Sequence, residues 1–263
     1  MILSVLLPFK DSESYFQDCL NSLTSQSFQD FEVIAVNDGS KDQSSNILKK
    51  WAKSRPRGVR EIAGPCQGIG MALKTGAQFC RGDFIARMDS DDICETRRFE
   101  VQIGALHKER SLKLLGCNSW IIDKHNCRVG EISLLSSHEV IRRSILFKNP
   151  FVHGSVCFER KAFEEIGGYS GNEAYVEDYE LWFRMTSRFP AKNLTKKLYN
   201  FRRHEHSDTA CKYSQYLQRA QATRLFALQN GYYPKYGYFI YPLLGMINNL
   251  LLLRAKSLRG RIK

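Results

Sequence analysis

The chain has 263 residues, enough for one large α/β domain or for a domain with an appendage. Hydrophobic residues make up 43% and charged residues 25%, which excludes a chain with no core to bury. A formal net charge of +12 points to an anionic partner: nucleic acid, a membrane surface or a phosphorylated substrate.

Ile2–Leu7 is an apolar run of strand length, and Pro8 cuts it. The opening MILSVLLPFKD has no basic leader region and no cleavage site, so it reads as a strand and not as a signal peptide. Tyr15, Phe16, Cys19, Leu20 and Leu23 then recur at helical spacing. Phe31–Val36 is a second strand and runs into Asn37-Asp38-Gly39-Ser40. Gln43–Trp51 and Gly68–Phe79 read as helices, Phe84–Met88 as the next strand, and Arg97–Leu106 as the helix after it. Alternation of this kind predicts βαβ units and a mostly parallel sheet buried on both faces. Ligands of such sheets bind beyond the carboxyl ends of the strands. Three polar turns are expected there, Pro8–Glu13, Asn37–Ser40 and Asp89–Asp92, and together they point to a nucleotide site.

Lys113–Cys157 is less regular, with short apolar pieces between polar turns, and predicts added strands around a substrate pocket. Arg160–Ile166 predicts a short helix closed by Gly167-Gly168. Asp178–Met185 predicts another, with Leu181, Trp182 and Met185 on one side. After Asp208 there is no Asp or Glu. Residues Tyr236–Leu253, YGYFIYPLLGMINNLLLL, lie between cations and are broken by Pro242, Gly245 and Asn248-Asn249. That is poor material for a membrane span. It reads as an interfacial segment on an anionic membrane, with a core-packing helix as the alternative. The eight cysteines are scattered without a C-x-x-C pair, which disfavours zinc and reads as free thiols in a reducing cytoplasm.

Asp89, Asp91 and Asp92 crowd one turn in a basic chain. Carboxylates this close repel unless a cation intervenes, and Mg²⁺ or Mn²⁺ takes such oxygen ligands together with substrate phosphates. A solvated turn capping the next helix is the plainer reading. Asp38 at a strand end suits a base or a ribose, although Asp-Gly is also good turn chemistry. GPCQGIG at residues 64–70 matches neither phosphate-loop pattern and reads as a turn near the ligand. Glu177-Asp178 either complements a helix dipole or places one carboxylate as a general base. Arg202, Arg203, His204 and His206 form a cationic cluster suited to a diphosphate, or else a solvated loop.

VLLPFKDSESYFQDCLNSLTSQSF, FEVIAVNDGSKD, GIGMALKTGAQFCRGDFIARMDSDDI, RRFEVQ, HGSVCFERKAFEEIGGY and YVEDYELWFRM occur in that order. The ordered set, over residues 2 to about 206, resembles glycosyltransferase family 2. The resemblance implies a GT-A, Rossmann-like fold: a mostly parallel sheet flanked by helices. A catalytic domain would span 1–208 and a basic, amphipathic helical segment 209–263. It implies inverting transfer of one sugar from a nucleotide-diphosphate sugar, usually UDP-linked. Asp38 would contact the base; Asp89 and Asp91 would form the metal and diphosphate motif with Mg²⁺ or Mn²⁺; Asp178 would be the general base. Pro8, Lys10 and Glu13 would lie along the nucleotide, with Arg203 and His204 at the diphosphate. Lys10-Asp11 stands where the family usually has Tyr-Asn. Gln-x-x-Arg-Trp, the mark of processive synthases, is absent, and NFRRHEHSD is similar to the Arg/His segment of single-addition members. A glycan or lipid-linked acceptor at the cytoplasmic face of the inner membrane is the expected setting. The alternatives are a nucleotidyltransferase on a similar sheet and a basic nucleic-acid-binding protein. No recognition motif supports the second, so nucleic acid is not an expected partner.

Overall fold

The computed structural model describes residues 2–54, 58–172, 174, 176–205 and 213–232. The Tyr236–Leu253 segment, His206, Cys211 and the expected boundary at 208/209 lie outside them. Parallel strands and helices alternate through the first part: β1 (Leu3–Phe9), α1 (Glu13–Thr24), β2 (Phe31–Asn37), α2 (Ser44–Lys53), β3 (Val59–Ala63), α3 (Ile69–Ala77) and β4 (Phe84–Arg87). These four strands lie side by side in the order β3-β2-β1-β4, all parallel. All seven residues of β1 are buried, as a central strand covered on both faces requires. Its residues alternate between two cores. Leu3, Val5, Leu7 and Phe9 pack with Phe16, Leu20, Leu48 and Trp51 of α1 and α2. Leu6 packs on the other face with Ala72 and Leu73 of α3 and with Trp182.

The irregular middle does add strands. β5 (Ile93–Cys94), α4 (Arg98–Lys108), β6 (Leu114–Ile122), β7 (Arg128–Ile132), α5 (His138–Ser144) and a 3₁₀ turn at His153–Ser155 follow in order. Next come β8 (Cys157–Glu159), α6 (Arg160–Glu165), α7 (Glu177–Arg188), β9 (Ala191–Arg202) and α8 (Tyr213–Gln229). The described strands form one nine-stranded sheet, ordered β3-β2-β1-β4-β8-β6-β9-β5, with β7 beside β6. β8 enters antiparallel between β4 and β6, yet more of the paired residues run parallel than antiparallel. β3 has no counterpart among the expected strands. VREIA sits at the sheet edge, half-exposed and charged, so it carries little hydrophobic signal.

Two later elements position the site. The helix α6 ends where expected, with Gly167 and Gly168 at φ +83° and +63°, a conformation that side chains resist. Arg184 of α7 holds this turn through the carbonyls of Ile166 and Gly168, both at 2.7 Å, while pairing with Glu180 at 2.6 Å. β9 runs parallel to β6, and its far end then pairs antiparallel with β5, Ile93 opposite Asn200. That brings residues 199–204 against the acidic turn after β4. α8 lies on α7: Thr223 Oγ1 accepts the Val176 N–H at 3.0 Å, and Arg224 Nε donates to Tyr179 at 3.1 Å. Among the described residues no helix is long and apolar enough to cross a membrane. The described cysteines are all free.

Candidate active site

The three polar turns meet at one edge of the sheet, and hydrogen bonds join them. Asp11, in the left-handed region at φ +46°, donates its N–H to Ser40 Oγ at 3.2 Å and accepts the Lys41 N–H at 2.7 Å. Ser12 Oγ lies 2.8 Å from Ser90 Oγ. The loop after β1 is thus tied both to the loop after β2 and to the turn after β4. The Lys10-Asp11 departure has a structural consequence here, because Asp11 makes the first of these ties.

Asp38 follows β2 and is 4% exposed. Its Oδ2 accepts the Gly68 N–H at 3.0 Å, so the GPCQGIG turn closes over it. Its Oδ1 is buried with no hydrogen-bond partner. A bare buried carboxylate oxygen is costly, and a ligand N–H would relieve it. Pro8 is buried beside it, opposite Val36, and Lys10 is exposed at the rim. Glu13 is engaged locally: its carboxylate accepts the Gln43 N–H at 2.9 Å, and its own N–H donates to Asp42 at 2.9 Å. That reciprocal pair joins the starts of α1 and α2.

The acidic turn is built from both ends of the chain. Asp92 is buried, and its Oδ1 accepts the Arg202 N–H at 2.6 Å. Arg202 Nε donates to the Asp91 carbonyl at 2.6 Å, and Nη1 to the Asp123 carbonyl at 3.0 Å. Arg202 is therefore a clamp on the turn, its guanidinium 4.5 Å over the Tyr15 ring, and is taken up inside the protein instead of facing a diphosphate. Arg203 is exposed, and its N–H donates to Ile122 O. His204 Nε2 lies 2.9 Å from Asp91 Oδ2. The Asp89 N–H donates to the Tyr199 hydroxyl at 3.2 Å, and Asp89 Oδ1 pairs with Arg87. Burial, opposed by Arg87 and reinforced by Asp91, pushes the Asp89 carboxyl up.

Across the site, Asp178 is the second residue of α7 and is 6% exposed. Asn149 Nδ2 donates to its Oδ2 at 2.7 Å, and the Tyr179 N–H donates to its Oδ1 at 2.7 Å. Burial raises its pKa. Burial, with help from Asp178, pushes Glu177 up to about 7, and Glu177 Oε2 lies 3.6 Å from Arg219. A fixed carboxylate of raised basicity is equipped to accept a proton.

Sequence reasoning missed three residues. Asn149 holds Asp178 from a loop, and no local pattern marks it. Gly154 packs so closely that a Cβ there would overlap the Tyr199 hydroxyl and stand 2.5 Å from Asp89 Oδ2. Arg87 was legible in principle, as a cation inside the apolar strand FIAR.

Among the described residues no three His, Cys, Asp or Glu side chains close on one point. The donors at the turn nonetheless suit a divalent cation. They are two carboxylates and an imidazole already within 2.9 Å of one of them, leaving further positions for substrate oxygens.

Residues 4–167 match the sequence profile of glycosyl transferase family 2. The chain is 32% identical over 195 residues to the amylovoran biosynthesis glycosyltransferase AmsE of Erwinia amylovora, covering 73% of this chain and 72% of that one. It is 30% identical over 179 residues to the UDP-Gal:alpha-D-GlcNAc-diphosphoundecaprenol beta-1,3-galactosyltransferase of Escherichia coli, covering 66% and 63%. Among solved structures, S. aureus TarS 1-349 in complex with UDP-GlcNAc has a TM-score of 0.71 over 88% of this chain and 67% of that one, at 20% identity. The mannosyltransferase PcManGT from Pyrobaculum calidifontis, in complex with GDP-Man and Mn²⁺, has a TM-score of 0.67 over 97% and 74%, at 14% identity. At these identities the structural likeness is one of fold.

Proposed function

The chain belongs to glycosyltransferase family 2, and from that premise we propose that it moves one sugar, with inversion, from a UDP-linked donor to a hydroxyl of a glycan or lipid-linked acceptor. The product would belong to a cell-surface polysaccharide or lipopolysaccharide. Three names support this. AmsE is an amylovoran biosynthesis enzyme, the Escherichia coli relative is named for UDP-Gal and a diphosphoundecaprenol acceptor, and TarS was solved with UDP-GlcNAc.

The observation that carries the reading is the division of carboxylates. Asp38 stands on the loop after β2, and Asp89 and Asp91 on the turn after β4, both tied to the loop after β1 at one sheet edge, while Asp178 stands apart, buried at the start of α7. In the reaction proposed, Asp38 Oδ1 accepts a base N–H. Asp89 and Asp91, with His204 beside them, would hold Mg²⁺ or Mn²⁺. That cation, when bound, would neutralise charge on the leaving diphosphate. Exposed Arg203 and Lys10 add positive charge at the rim. Asp178 takes the proton from the acceptor hydroxyl as it attacks the anomeric carbon from the face opposite the diphosphate. Asn149 and the Tyr179 N–H keep the carboxylate aimed while it does so. One displacement inverts the centre, and no covalent nucleophile is required.

A screen of nucleotide sugars with Mn²⁺, read by mass, tests the proposal. Release of a nucleoside diphosphate supports it. Release of the sugar 1-phosphate, with the nucleoside monophosphate group moved to the acceptor, would replace it with nucleotidyl transfer.

A further inference from the structure

Among the described residues two free thiols are exposed, Cys66 in the GPCQGIG turn and Cys127. Cys19, Cys80, Cys94, Cys117 and Cys157 are buried. Burial pushes all five of those thiols up, Cys80 and Cys157 to about 12 and Cys117 to about 11. The thiolate is the reactive form, so these five are inert. Cys127 ends the turn between β6 and β7, where its N–H donates to Asp123 Oδ1 at 2.9 Å.

The surroundings of Cys66 are different. Its backbone is in the left-handed region at φ +58°, which is uncommon for any residue with a Cβ. Its Sγ packs on Gly39, the residue after Asp38: a Cβ at Gly39 would stand 2.6 Å from that sulfur. The turn also passes Asp38 on both sides of Cys66. A Cβ at Gly64 would stand 2.9 Å from Asp38 Oδ1, and the Gly68 N–H donates to Oδ2 at 3.0 Å. The Gly64 N–H is fixed in turn to the Asn37 carbonyl at 2.8 Å. An exposed sulfur is thus held over a carboxylate that is 4% exposed and whose Oδ1 has no hydrogen-bond partner.

That bare oxygen points to a ligand at this spot, because a buried acceptor without a donor is unfavourable. Oδ1 lies against Gly64, so a group that satisfies it lies beside residues 64–66. A bulky substituent on Cys66 Sγ would compete for the same space.

We propose that Cys66 is a thiol-modification site at the donor pocket, taking a low-molecular-weight disulfide of the glutathione class, and that the adduct and the nucleotide exclude each other. The step is thiol–disulfide exchange. The Cys66 thiolate attacks one sulfur of the small disulfide, a new S–S bond forms, the old one breaks, and the departing thiolate takes up the proton that Cys66 lost. Cys66 is oxidised and half of the disulfide is reduced, so no other oxidant enters. A second small thiol reverses the step. The inference rests on the reading of Asp38 as the base contact. It adds that donor binding answers to the thiol–disulfide balance around the protein.

The test uses the full chain as C127S/C211S, which keeps Cys66, and as C66S/C127S/C211S. Each is incubated with oxidised glutathione. Adducts are counted by intact mass and located by peptide mass, folding is followed by thermal melting, and UDP affinity is measured by calorimetry with Mn²⁺ before and after treatment. C127S/C211S is expected to take up one glutathione, on Cys66, and to lose UDP affinity by about tenfold or more, with dithiothreitol restoring it. UDP at about ten times its Kd should slow the uptake by about tenfold, because only the open site reacts. The variant without Cys66 should take up none, and treatment should leave its UDP affinity as it was. A complete adduct on Cys66 with unchanged UDP affinity overturns the inference. So does uptake at one rate with and without UDP, and so does an affinity lost only together with the melting transition. Failure of Cys66 to react where Cys127 of the wild type does overturns it as well. Should C127S/C211S fail to fold, the wild type and C66S decide by the same comparison. D38A separates this inference from the reading beneath it. Weakened UDP binding in D38A beside a harmless adduct keeps the base contact and removes the Cys66 site. Unchanged UDP binding in D38A removes the base contact, and an adduct that still blocks UDP keeps Cys66 at the pocket.

Discussion

His204 Nε2 lies 2.9 Å from Asp91 Oδ2, joining the segment after β9 to the turn after β4. The contact aligns an imidazole with one of the two carboxylates proposed to hold the metal. D91A should lower nucleoside diphosphate release by about 10²–10³-fold and abolish the Mn²⁺ dependence of UDP binding. H204A should cost less, about 10- to 100-fold in Mn²⁺ affinity or turnover, as expected for a residue that orients a ligand. Manganese titrations at fixed UDP separate the two. Wild-type behaviour in D91A would remove Asp91 from the metal site.

Asp38 Oδ1 is buried and bare, so its effect belongs to binding and not to the chemical step. D38A should weaken UDP by about 10- to 100-fold, the range for a hydrogen bond to a charged group, with kcat little changed at saturation. Calorimetry with UDP measures the first and saturation kinetics the second. An unchanged affinity would place the base elsewhere.

Asp178 and Glu177 are neighbours on α7 with different expected roles. D178N keeps the shape of the side chain and should lower kcat by about 10²–10⁴-fold while UDP binding stays intact. E177Q should show itself in stability. Glu177 is raised from 4.5 to about 7, so the folded chain binds its proton more tightly than the unfolded chain. The stabilisation this gives is full below the unfolded value and is lost as pH rises through about 7. The melting temperature of E177Q should therefore exceed that of the wild type at pH 8, and the advantage should vanish at about pH 4, below the unfolded value. The opposite ordering would mean that the contact with Arg219 outweighs the burial.

Two glycines give a matched comparison. At Gly154 a methyl group would overlap the Tyr199 hydroxyl and press on Asp89, so G154A should lose most turnover and some stability. Gly104 lies exposed within α4, with nothing within 4 Å of its would-be Cβ. G104A should raise stability by about 0.5–1 kcal/mol through helix propensity alone. Denaturant melts and the release assay on the two variants check both outcomes.

The sequence beyond Asp208 carries no acid, and its apolar, aromatic run ends among cations. Deletion of residues 236–263 should release the protein from phosphatidylglycerol vesicles in sedimentation, and wild-type binding should weaken as salt is raised. Unchanged binding by the shortened chain would end the membrane reading.

The parallel half of the fold was legible because buried strands and amphipathic helices impose different hydrophobic periods. β2 and β4 and the helices between the strands follow that signal to within one or two residues, whereas β1 runs through Pro8 to Phe9 instead of being cut there. β3 escaped because an exposed edge strand tolerates Arg60 and Glu61. Asp38, Asp89, Asp91 and Asp178 were visible as carboxylates at element ends. Their supports were not. Asn149, Gly154 and Tyr199 acquire their roles only when β8, α7 and β9 fold back onto β4, and no local window holds that information. Arg202 fits neither a diphosphate cluster nor a solvated loop, the two readings its charge allows, because charge alone does not reveal which cations the fold encloses.

Asp92 and Arg202 are separated by 110 residues and joined by one 2.6 Å hydrogen bond. During synthesis, strands β1 to β4 leave the ribosome first and have every local reason to assemble there. The turn with its three aspartates emerges with them, long before the strand that clamps it. A nascent chain ending at residue 167, the limit of the family match, would own the proposed metal carboxylates without the groups that lock them or the base that uses them. Competence thus depends on residues beyond that limit, on Arg202 that holds the turn and on Asp178 across from it. Unfinished copies of the enzyme would have no means of spending activated sugar.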